Sequence, residues 1–351
     1  MAKVLVLCGG ETFERRVSLR GGDAVARGLA KAGHDVRKMD TANPSRVVDA
    51  TVEFFDGRPG MATDEEVRES HLDARGWRLL IDTLIAESPD LVVPILHGGW
   101  GEDGRIQSLL ELHGFPYLGS GPLASALAMN KWMTRGVALH NGIRIPYGKL
   151  VRRGEDPEAV FARLPGEDLF LPVVVKPNTA GSTVGLAITD KLDIFCKTVH
   201  QAHSWNDDAL IEEYIPGREL TVTVLDGEAL PVLEIRPKTG LYDYTRKYTQ
   251  GETEYICPAP IPEESELPAR EMSEMIFAEL GCRHIARVDW KLRDDGALYF
   301  LEVNTLPGMT DLSLVPMAAA ASGLDFSALM NRFVEIALRD AAHATSVSTL
   351  A

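Results

Sequence analysis

Hydrophobic positions in residues 1–123 fall into short apolar runs that alternate with segments of helical spacing. The runs typical of strands are KVLVLC (3–8), HDVRKM (34–39), DLVVPIL (90–96) and FPYLG (115–119). Helical spacing covers Val17 to Ala32, Trp77 to Ala86 and Arg105 to Leu112. Strands separated by helices predict an α/β unit with a parallel sheet and helices on both faces.

A second set of elements follows one long predicted helix, Ala124 to His140. Apolar runs predict strands that include LPVVVKP (171–177), ALIEEYI (209–215) and a hairpin at 284–304, and helical spacing covers Glu266 to Leu280 and Phe326 to Ala342. We expect three units, residues 1–123, 124–212 and 213–343.

Three segments lack a clear period. The charged stretch 50–76 is interpreted as an insertion without predicted structure, and residues 344–351 as a frayed end. The stretch 238–258 carries Tyr242, Tyr244, Tyr248 and Tyr255, and long ordered loops of this kind usually act as lids. We therefore predict a lid loop there.

Composition narrows the class of protein. The chain has 351 residues, 45% of them hydrophobic and 25% charged, which is the balance of an ordinary globular protein. A net charge of −15 disfavours nucleic acid or an anionic membrane as a partner, and no apolar run approaches the ~20 residues of a spanning helix. The four separated cysteines and the absence of a signal-like start favour a cytoplasmic enzyme.

The predicted hairpin at 284–304 points to a metal site. A two-residue turn at Asp295-Gly296 would put three pairs on one apolar face: Leu292 with Tyr299, Trp290 with Leu301 and Val288 with Val303. The other face would pair Asp289 with Glu302 and Arg287 with Asn304. Two opposed carboxylates repel unless a cation lies between them, and Mg²⁺ prefers such oxygen ligands. The alternative is a solvated face that Lys291 neutralises.

A candidate phosphate-binding loop follows a buried strand in VVVKPNTAGSTVG (173–185). Gly181 and Gly185 permit close backbone approach, Ser182 and Thr183 add hydroxyl donors, and Lys176 precedes them. A Gly/Ser loop alone is most often only a turn. The lysine and the acidic hairpin together favour a phosphate site.

The chain resembles D-alanine–D-alanine ligases of the ATP-grasp superfamily over nearly its whole length. The resemblance rests on stretches in conserved order along the chain: GGETFERRVSL (9–19), HGGWGEDG (97–104), GSGPLASALAMNK (119–131), VVVKPNTAGSTVG (173–185), IEEYIPGRELTV (211–222), YDYTRKYTQGETEYICPA (242–259), ARVDW (286–290) and LEVNTLPGMTDLSLVPMAA (301–319). It implies an ATP-grasp fold with an N-terminal Rossmann-like (pre-ATP-grasp) domain.

The resemblance also implies a reaction. ATP would phosphorylate the carboxylate of one D-alanine, and the amine of a second would attack the acyl phosphate. Two Mg²⁺ (or Mn²⁺) ions, a homodimer and a role in peptidoglycan precursor synthesis are expected by the same analogy. Another ATP-grasp carboxylate–amine ligase, a D-alanine–D-lactate ligase and a non-catalytic nucleotide-binding regulator remain alternatives.

Residue roles follow from matching positions. For ATP and metal, the resemblance implies phosphate contacts by Lys131 and Lys176, adenine and ribose contacts by Glu212 and Glu219, base-pocket walls from Tyr214 and Ile215, and metal ligands Asp289, Glu302 and Asn304. For the amino acids, it implies Glu14 and His97 at the first substrate, Lys247, Ser313 and the Leu314 N–H at the second, Arg287 and the Gly308 N–H at the oxyanion, and a lid latch of Glu14, Ser182 and Tyr248.

Departures from the family pattern are few. Thr12 and Thr183 stand where serine is usual, and Gly21-Gly22 stands where Ser-Gly is common. None falls on a metal or oxyanion position. Lys247-Tyr248 in the predicted lid favours the amide-forming reaction over ester formation.

Overall fold

The computed structural model describes residues 1–58, 60–181, 184–238, 253–310 and 313–348. The helices in chain order are α1 (Arg15–Lys31), α2 (Asp64–Glu69), α3 (Ala74–Glu87), α4 (Arg105–Leu112), α5 (Pro122–Met129), α6 (Lys131–His140), α7 (Pro157–Arg163), α8 (Leu192–Ser204), α9 (Glu263–Glu279), α10 (Leu314–Ala321) and α11 (Phe326–Ser348). The strands are β1 (Lys3–Cys8), β2 (Asp35–Asp40), β3 (Val47–Asp49), β4 (Leu91–Ile95), β5 (Gly148–Val151), β6 (Val173–Pro177), β7 (Ala187–Thr189), β8 (Ala209–Glu213), β9 (Arg218–Leu225), β10 (Glu228–Ala229), β11 (Leu233–Pro237), β12 (Thr253–Ile256), β13 (Ile285–Leu292) and β14 (Leu298–Asn304).

The N-terminal sheet has the order β3-β2-β1-β4, with β1 parallel to both of its neighbours. Successive side chains of a strand point to opposite faces, so β1 serves two cores. Val4 and Val6 pack with α1 and α11, whereas Leu5 and Leu7 pack with α3 and α4. The predicted parallel sheet with helices on both faces is confirmed, apart from the antiparallel edge strand β3.

Two antiparallel sheets follow along the chain. One has the order β5-β8-β6-β7, and Phe195 and Val199 of α8 cover it. The other has the order β12-β11-β9-β13-β14, with β10 beside β9. Its buried face holds Trp290, whose indole N–H donates to Ser273 Oγ of α9 at 2.9 Å, and Phe300, whose ring centroid is 5.7 Å from that of Trp290.

The hairpin of β13 and β14 differs from the predicted register in its outer half. Only Gly296 in the turn has a positive φ, +83°, so a two-residue turn that needs two such residues does not form. A three-residue turn, 294–296, pairs Trp290 with Phe300 and Leu292 with Leu298 instead. Leu301 is then an extra residue that shifts the register back. The predicted inner pairs 289/302, 287/304 and 288/303 are therefore confirmed.

Several predicted elements were wrong in detail. The helix expected from Ala124 to His140 is two helices, because Asn130 adopts ψ 94° and caps α6 through Met133 N. FPYLG makes a single bridge between Tyr117 and Val92 rather than a strand.

The three segments without a clear period also contain structure. The stretch 50–76 contains α2, whose Thr63 and Glu66 form a capping box. Part of the predicted lid, residues 253–256, is strand β12 beside β11, and the predicted frayed end instead continues α11 through Ser348. No helix within the described parts of the chain has both the length and the apolar character to cross a membrane.

Candidate active site between two antiparallel sheets

A cleft separates the two antiparallel sheets, and both contribute to its walls. The sheet of β5 to β8 supplies Val174, Lys176 and Glu212. The other sheet supplies Glu219 from β9, Asp289 and Lys291 from β13, and Glu302 from β14. Apolar side chains are interleaved with these charges along the walls: Val184, Leu186, Ile188, Ile215 and Leu301. A cleft in which apolar walls alternate with converging charged groups is typical of a small-ligand site.

Asp289 and Glu302 face each other across the hairpin on the cleft side, and each has a basic partner. Arg287 donates two parallel hydrogen bonds to Asp289, Nε to Oδ1 at 2.9 Å and Nη2 to Oδ2 at 2.8 Å. Thr221 Oγ1 donates to the same Oδ1 at 2.6 Å. Glu302 Oε2 lies 3.3 Å from Lys131 Nζ. Cross-strand carboxylates are tolerated here because cations surround them.

The charge balance determines the protonation of the two acids that face the middle of the cleft. Burial acts to raise the pKa of Glu302, but Lys131, Lys176 and Arg287 outweigh it and lower that pKa to about 2. Burial raises the pKa of Glu219, against the opposing effect of Lys291 at 3.1 Å, and Asp289 and Glu302 raise it further. Glu302 is thus held as a carboxylate at neutral pH.

The two predicted phosphate lysines are buried and lie close to the described start of the phosphate loop, residues 178–181. Lys131 is the first residue of α6, and its Nζ donates to Ala180 O at 2.7 Å. Lys176, near the end of β6, reaches Glu212 Oε2 at 2.5 Å. Arg135 binds the other oxygen of Glu212 and donates to Pro146 O at 2.5 Å.

The predicted base-pocket residues line the same cleft. Ile215 is buried, whereas Tyr214 is 39% exposed at the rim. Glu219 lies deeper, beside Lys291. The extra residue of the hairpin bulge, Leu301, also lines the cleft rather than the apolar face that the sequence predicted.

The N-terminal domain brings Glu14 and His97 to the mouth of this site. Glu14 is buried just before α1, and a Cβ placed on Gly181 would lie 3.5 Å from its Oε2, so this acid approaches the phosphate loop. His97 follows β4 and is buried, and its Nε2 has no hydrogen-bond partner among the described residues. Its Nδ1 lies 3.9 Å from Glu102 Oε1.

The end of β14 and the segment that leads from it to α10 hold the remaining predicted residues that the structure describes. Asn304 Oδ1 accepts from Leu306 N at 3.0 Å. Ser313 Oγ accepts from Thr310 N at 2.8 Å, and Leu314 begins α10. A Cβ on Gly308 would lie only 3.0 Å from Ser313 Oγ, so a larger residue there would require the Ser313 side chain to shift by a few tenths of an ångström. Ser182, Thr183, Lys247 and Tyr248 lie outside the described residues, so the predicted lid latch stays a prediction.

Four residues of the site were missed by sequence reasoning. They are Arg135, Thr221, Glu102 and Leu301. Arg135 had a usable signal, since it lies four residues after Lys131 and so on the same face of a helix. The other three depend on strand register and loop path.

Comparisons with known proteins agree with this geometry. A family described as "D-ala D-ala ligase N-terminus" matches residues 3–120, and one described as "D-ala D-ala ligase C-terminus" matches residues 140–335. The chain belongs to the D-alanine–D-alanine ligase family.

The curated relatives carry the same name. The D-alanine–D-alanine ligase of Syntrophotalea carbinolica is 38% identical over 95% of both chains. That of Geobacter sulfurreducens is 38% identical over 95% of this chain and 93% of its own.

Solved structures of the family have the same fold. A D-alanine–D-alanine ligase from Bacillus anthracis, crystallised in complex with ATP, has a TM-score of 0.75 and 29% identity, and the match covers 97% of this chain and 98% of that one. The enzyme from Coxiella burnetii, at 22% identity, matches in fold with a TM-score of 0.76 over 99% of this chain and 97% of its own. The expected ATP-grasp fold is thus confirmed.

Proposed function

We propose that this chain is an ATP-dependent ligase that joins two D-alanines into D-alanyl-D-alanine for peptidoglycan precursor synthesis. The observation that carries the proposal is the cleft in which Asp289 and Glu302 face two buried lysines, within a chain that belongs to this family. The relatives' shared activity supports the choice of substrates.

ATP would lie along the cleft, with its base against the apolar walls near Ile215 and its phosphates at Lys131 and Lys176. Lys176 must leave Glu212 to reach a phosphate. Arg135 remains bound to the other oxygen of Glu212. The buried carboxylate therefore keeps one cationic partner when Lys176 moves away. Glu219 would accept hydrogen bonds from ribose hydroxyls.

The donor set at the hairpin fits a divalent cation. Asp289, Glu302 and Asn304 offer two carboxylates and an amide oxygen on one face, which is the chemistry that Mg²⁺ prefers. In the described part of the chain, no three His, Cys, Asp or Glu side chains are grouped so that they could hold a metal ion. The proposed set therefore consists of two carboxylates and the amide oxygen of Asn304. When bound, Mg²⁺ or Mn²⁺ would neutralise charge on the transferring phosphoryl group. The proposal includes two ions.

The reaction proceeds in two steps. A carboxylate oxygen of the first D-alanine attacks the γ-phosphorus, which forms an acyl phosphate and releases ADP. The amine of the second D-alanine then attacks the acyl carbon, and after loss of a proton the phosphate leaves with the C–O bonding pair. Arg287 and the Gly308 N–H are proposed to stabilise the oxyanion between attack and departure.

The two amino acids would occupy opposite ends of this site. Glu14 would pair with the first ammonium, and His97 Nε2, which has no hydrogen-bond partner among the residues that the structure describes, would contact the same substrate. Ser313, the Leu314 N–H and Lys247 would hold the second carboxylate. The Glu14–Ser182–Tyr248 latch would keep water from the acyl phosphate. A cytoplasmic homodimer completes the proposal.

Product analysis tests this function. Purified protein with ATP, Mg²⁺ and D-alanine should release phosphate and yield D-alanyl-D-alanine by mass spectrometry. A preference for D-lactate or another acceptor would contradict the assignment of D-alanine as the second substrate. Phosphate release that does not depend on D-amino acids would contradict the ligase activity and favour a nucleotide-binding regulator.

Replacement of Glu302 tests the metal site. Glu302→Gln keeps the shape but removes the charge, and we expect turnover to fall by about 100-fold or more, with a raised Mg²⁺ requirement. Asp295→Asn in the exposed turn of the same hairpin is the matched control and should behave as the parent. Equal turnover and an equal Mg²⁺ requirement in Glu302→Gln and the parent would refute the assignment.

A further inference from the structure

Asn178, two residues after Lys176 and at the start of the phosphate loop, is 5% exposed and uses both its backbone and its side chain in hydrogen bonds. Its N–H donates to Asp208 O at 2.9 Å, and its C=O accepts from Lys131 N at 3.1 Å. Its side-chain Oδ1 accepts from Trp132 N at 2.9 Å, and its Nδ2 donates to Asn130 Oδ1 at 3.0 Å. The residue therefore faces the start of α6 with all of its polar groups bound.

These bonds act on the first turn of a helix, where backbone N–H groups have no partner within the helix. Asn178 satisfies two of them, those of Lys131 and Trp132. Asn130 caps the same turn through Met133 N. Because Lys131 Nζ also reaches Ala180 O, the loop holds this lysine at both its backbone and its tip.

The two phosphate lysines come from different parts of the molecule. Lys176 lies on β6 of the sheet β5-β8-β6-β7, whereas α6, which carries Lys131, packs through Ala138 on the core of the other antiparallel sheet. Asn178, two residues after Lys176, bonds directly to α6. It thus links the two elements at the point where the phosphates would lie.

We infer that Asn178 is a positioning residue that sets the separation between Lys131 and Lys176. Asn178 is not among the residues that line the cleft with the predicted base and ribose residues, so we expect its effect to fall on the phosphate contacts of the nucleotide. The inference rests on the proposed function, because it assumes that the cleft binds a nucleotide with its phosphates at these lysines.

The test compares two ligands that differ only in phosphates. Calorimetry with Asn178→Ala should show about a 10-fold loss of affinity for ADP in the presence of Mg²⁺, the size expected for a lost buried cap, and no loss for adenosine. The KM for ATP should rise while the KM for D-alanine stays constant. An equal loss for ADP and adenosine, or no loss for either, would overturn the inference.

Matched variants separate positioning from general damage. Thr179→Val removes one hydrogen bond, that of Thr179 Oγ1 to Asp207 at 2.9 Å, from the same loop without touching α6, and should bind ADP as the parent does. Asn130→Asp keeps the acceptor for both Asn178 and Met133 and should retain ADP affinity. If Asn178→Ala does not fold, Asn178→Ser, whose hydroxyl lies one bond closer to the backbone than the asparagine Oδ1, should show the same selective loss. A parent protein that binds neither ligand would refute the proposed function instead.

Discussion

Each charged side chain in the cleft has a partner that fixes where it points. Arg287 is buried and bound through two parallel N–H groups to Asp289, so its guanidinium is fixed beside the proposed reaction centre. Fixed donors of this kind stabilise a developing oxyanion without reorganisation during the reaction. The shape of the side chain therefore matters as well as its charge.

Arg287→Lys tests that point. Lysine keeps the charge but lacks the planar fork, so we expect kcat to fall by about 10²- to 10³-fold while ADP binding is preserved. Arg293→Lys, just beyond the outer end of β13 and exposed, is the control. A kcat equal to that of the parent would remove Arg287 from the oxyanion role. Steady-state kinetics with calorimetry measures both quantities.

The hairpin of β13 and β14 shows how one extra residue serves two requirements. The three-residue turn needs a positive φ at only one residue, Gly296. The bulge at Leu301 then restores the register that places Asp289 opposite Glu302. A classic bulge puts two residues of one strand opposite one residue of its partner. Leu301 thereby joins Glu302 on the cleft side, where it adds apolar surface to the wall of the cleft.

Leu301→Ala should weaken nucleotide binding while leaving chemistry intact. We expect the KM for ATP to rise by roughly 10-fold, because apolar contact in a ligand pocket is lost, and kcat to stay near that of the parent. Leu112→Ala, 84% exposed on α4, is the matched control for the same chemical change. A fall in kcat at unchanged KM would show that Leu301 supports the hairpin and not the base. Kinetics at varied ATP concentration separates these outcomes.

At the scale of the whole molecule, elements distant in sequence complete one another's cores. Helix α11 packs on the N-terminal sheet, where Met330 and Phe333 meet Val4 and Val6. Helices α5 and α6, predicted as part of the unit 124–212, pack through residues that include Ala128 on the core beside β9 and β13. The small apolar side chains of α5 and α6 allow both helices to pack closely on the sheet that contains β9 and β13. The unit boundaries themselves stay a prediction.

His284 connects these parts. Its backbone has a φ of +61°, its Nδ1 accepts from Gly119 N at 2.9 Å, and its Nε2 lies 3.3 Å from Asp340 Oδ2 of α11. Burial, reinforced by Arg283, lowers the pKa of His284 to about 4 from its ordinary 6.5. As the pH falls below 6.5, His284 becomes protonated in the unfolded chain, whereas in the folded chain it stays neutral until about pH 4. The free energy of unfolding therefore decreases across that window.

His284→Asn should reduce this pH dependence. Asparagine tolerates the positive φ and offers an acceptor to Gly119, but it does not titrate. Between pH 7.5 and pH 5 we expect the parent to lose roughly 1–2 kcal/mol more of its unfolding free energy than the variant. Urea unfolding at the two pH values measures this. His200→Asn, at an exposed position on α8, should follow the parent, and parallel losses in His284→Asn and the parent would contradict the argument.

Much of the site could be predicted because its residues are neighbours along strands. Asp289, Glu302 and Asn304 follow from alternation on two adjacent strands, and the inner register holds even though the turn was predicted wrongly. Helical spacing from Lys131 points to Arg135, but the partners of Arg135 and Thr221 could not be found from spacing. Their contacts to Glu212 and Asp289 join residues 77 and 68 positions apart, which no local pattern records.

The sequence by itself determined the parallel N-terminal sheet, the acidic hairpin face and the lysine before a small-residue loop, since each depends on residue spacing within a single element. Only the tertiary structure decided that Asn130 divides a predicted helix, that Leu301 turns toward the cleft and that Glu14 approaches Gly181. The physical reason is that local periodicity specifies which face of an element is apolar. The partner that covers this face, and the exact turn and bulge that bring two faces together, depend on packing over the whole chain.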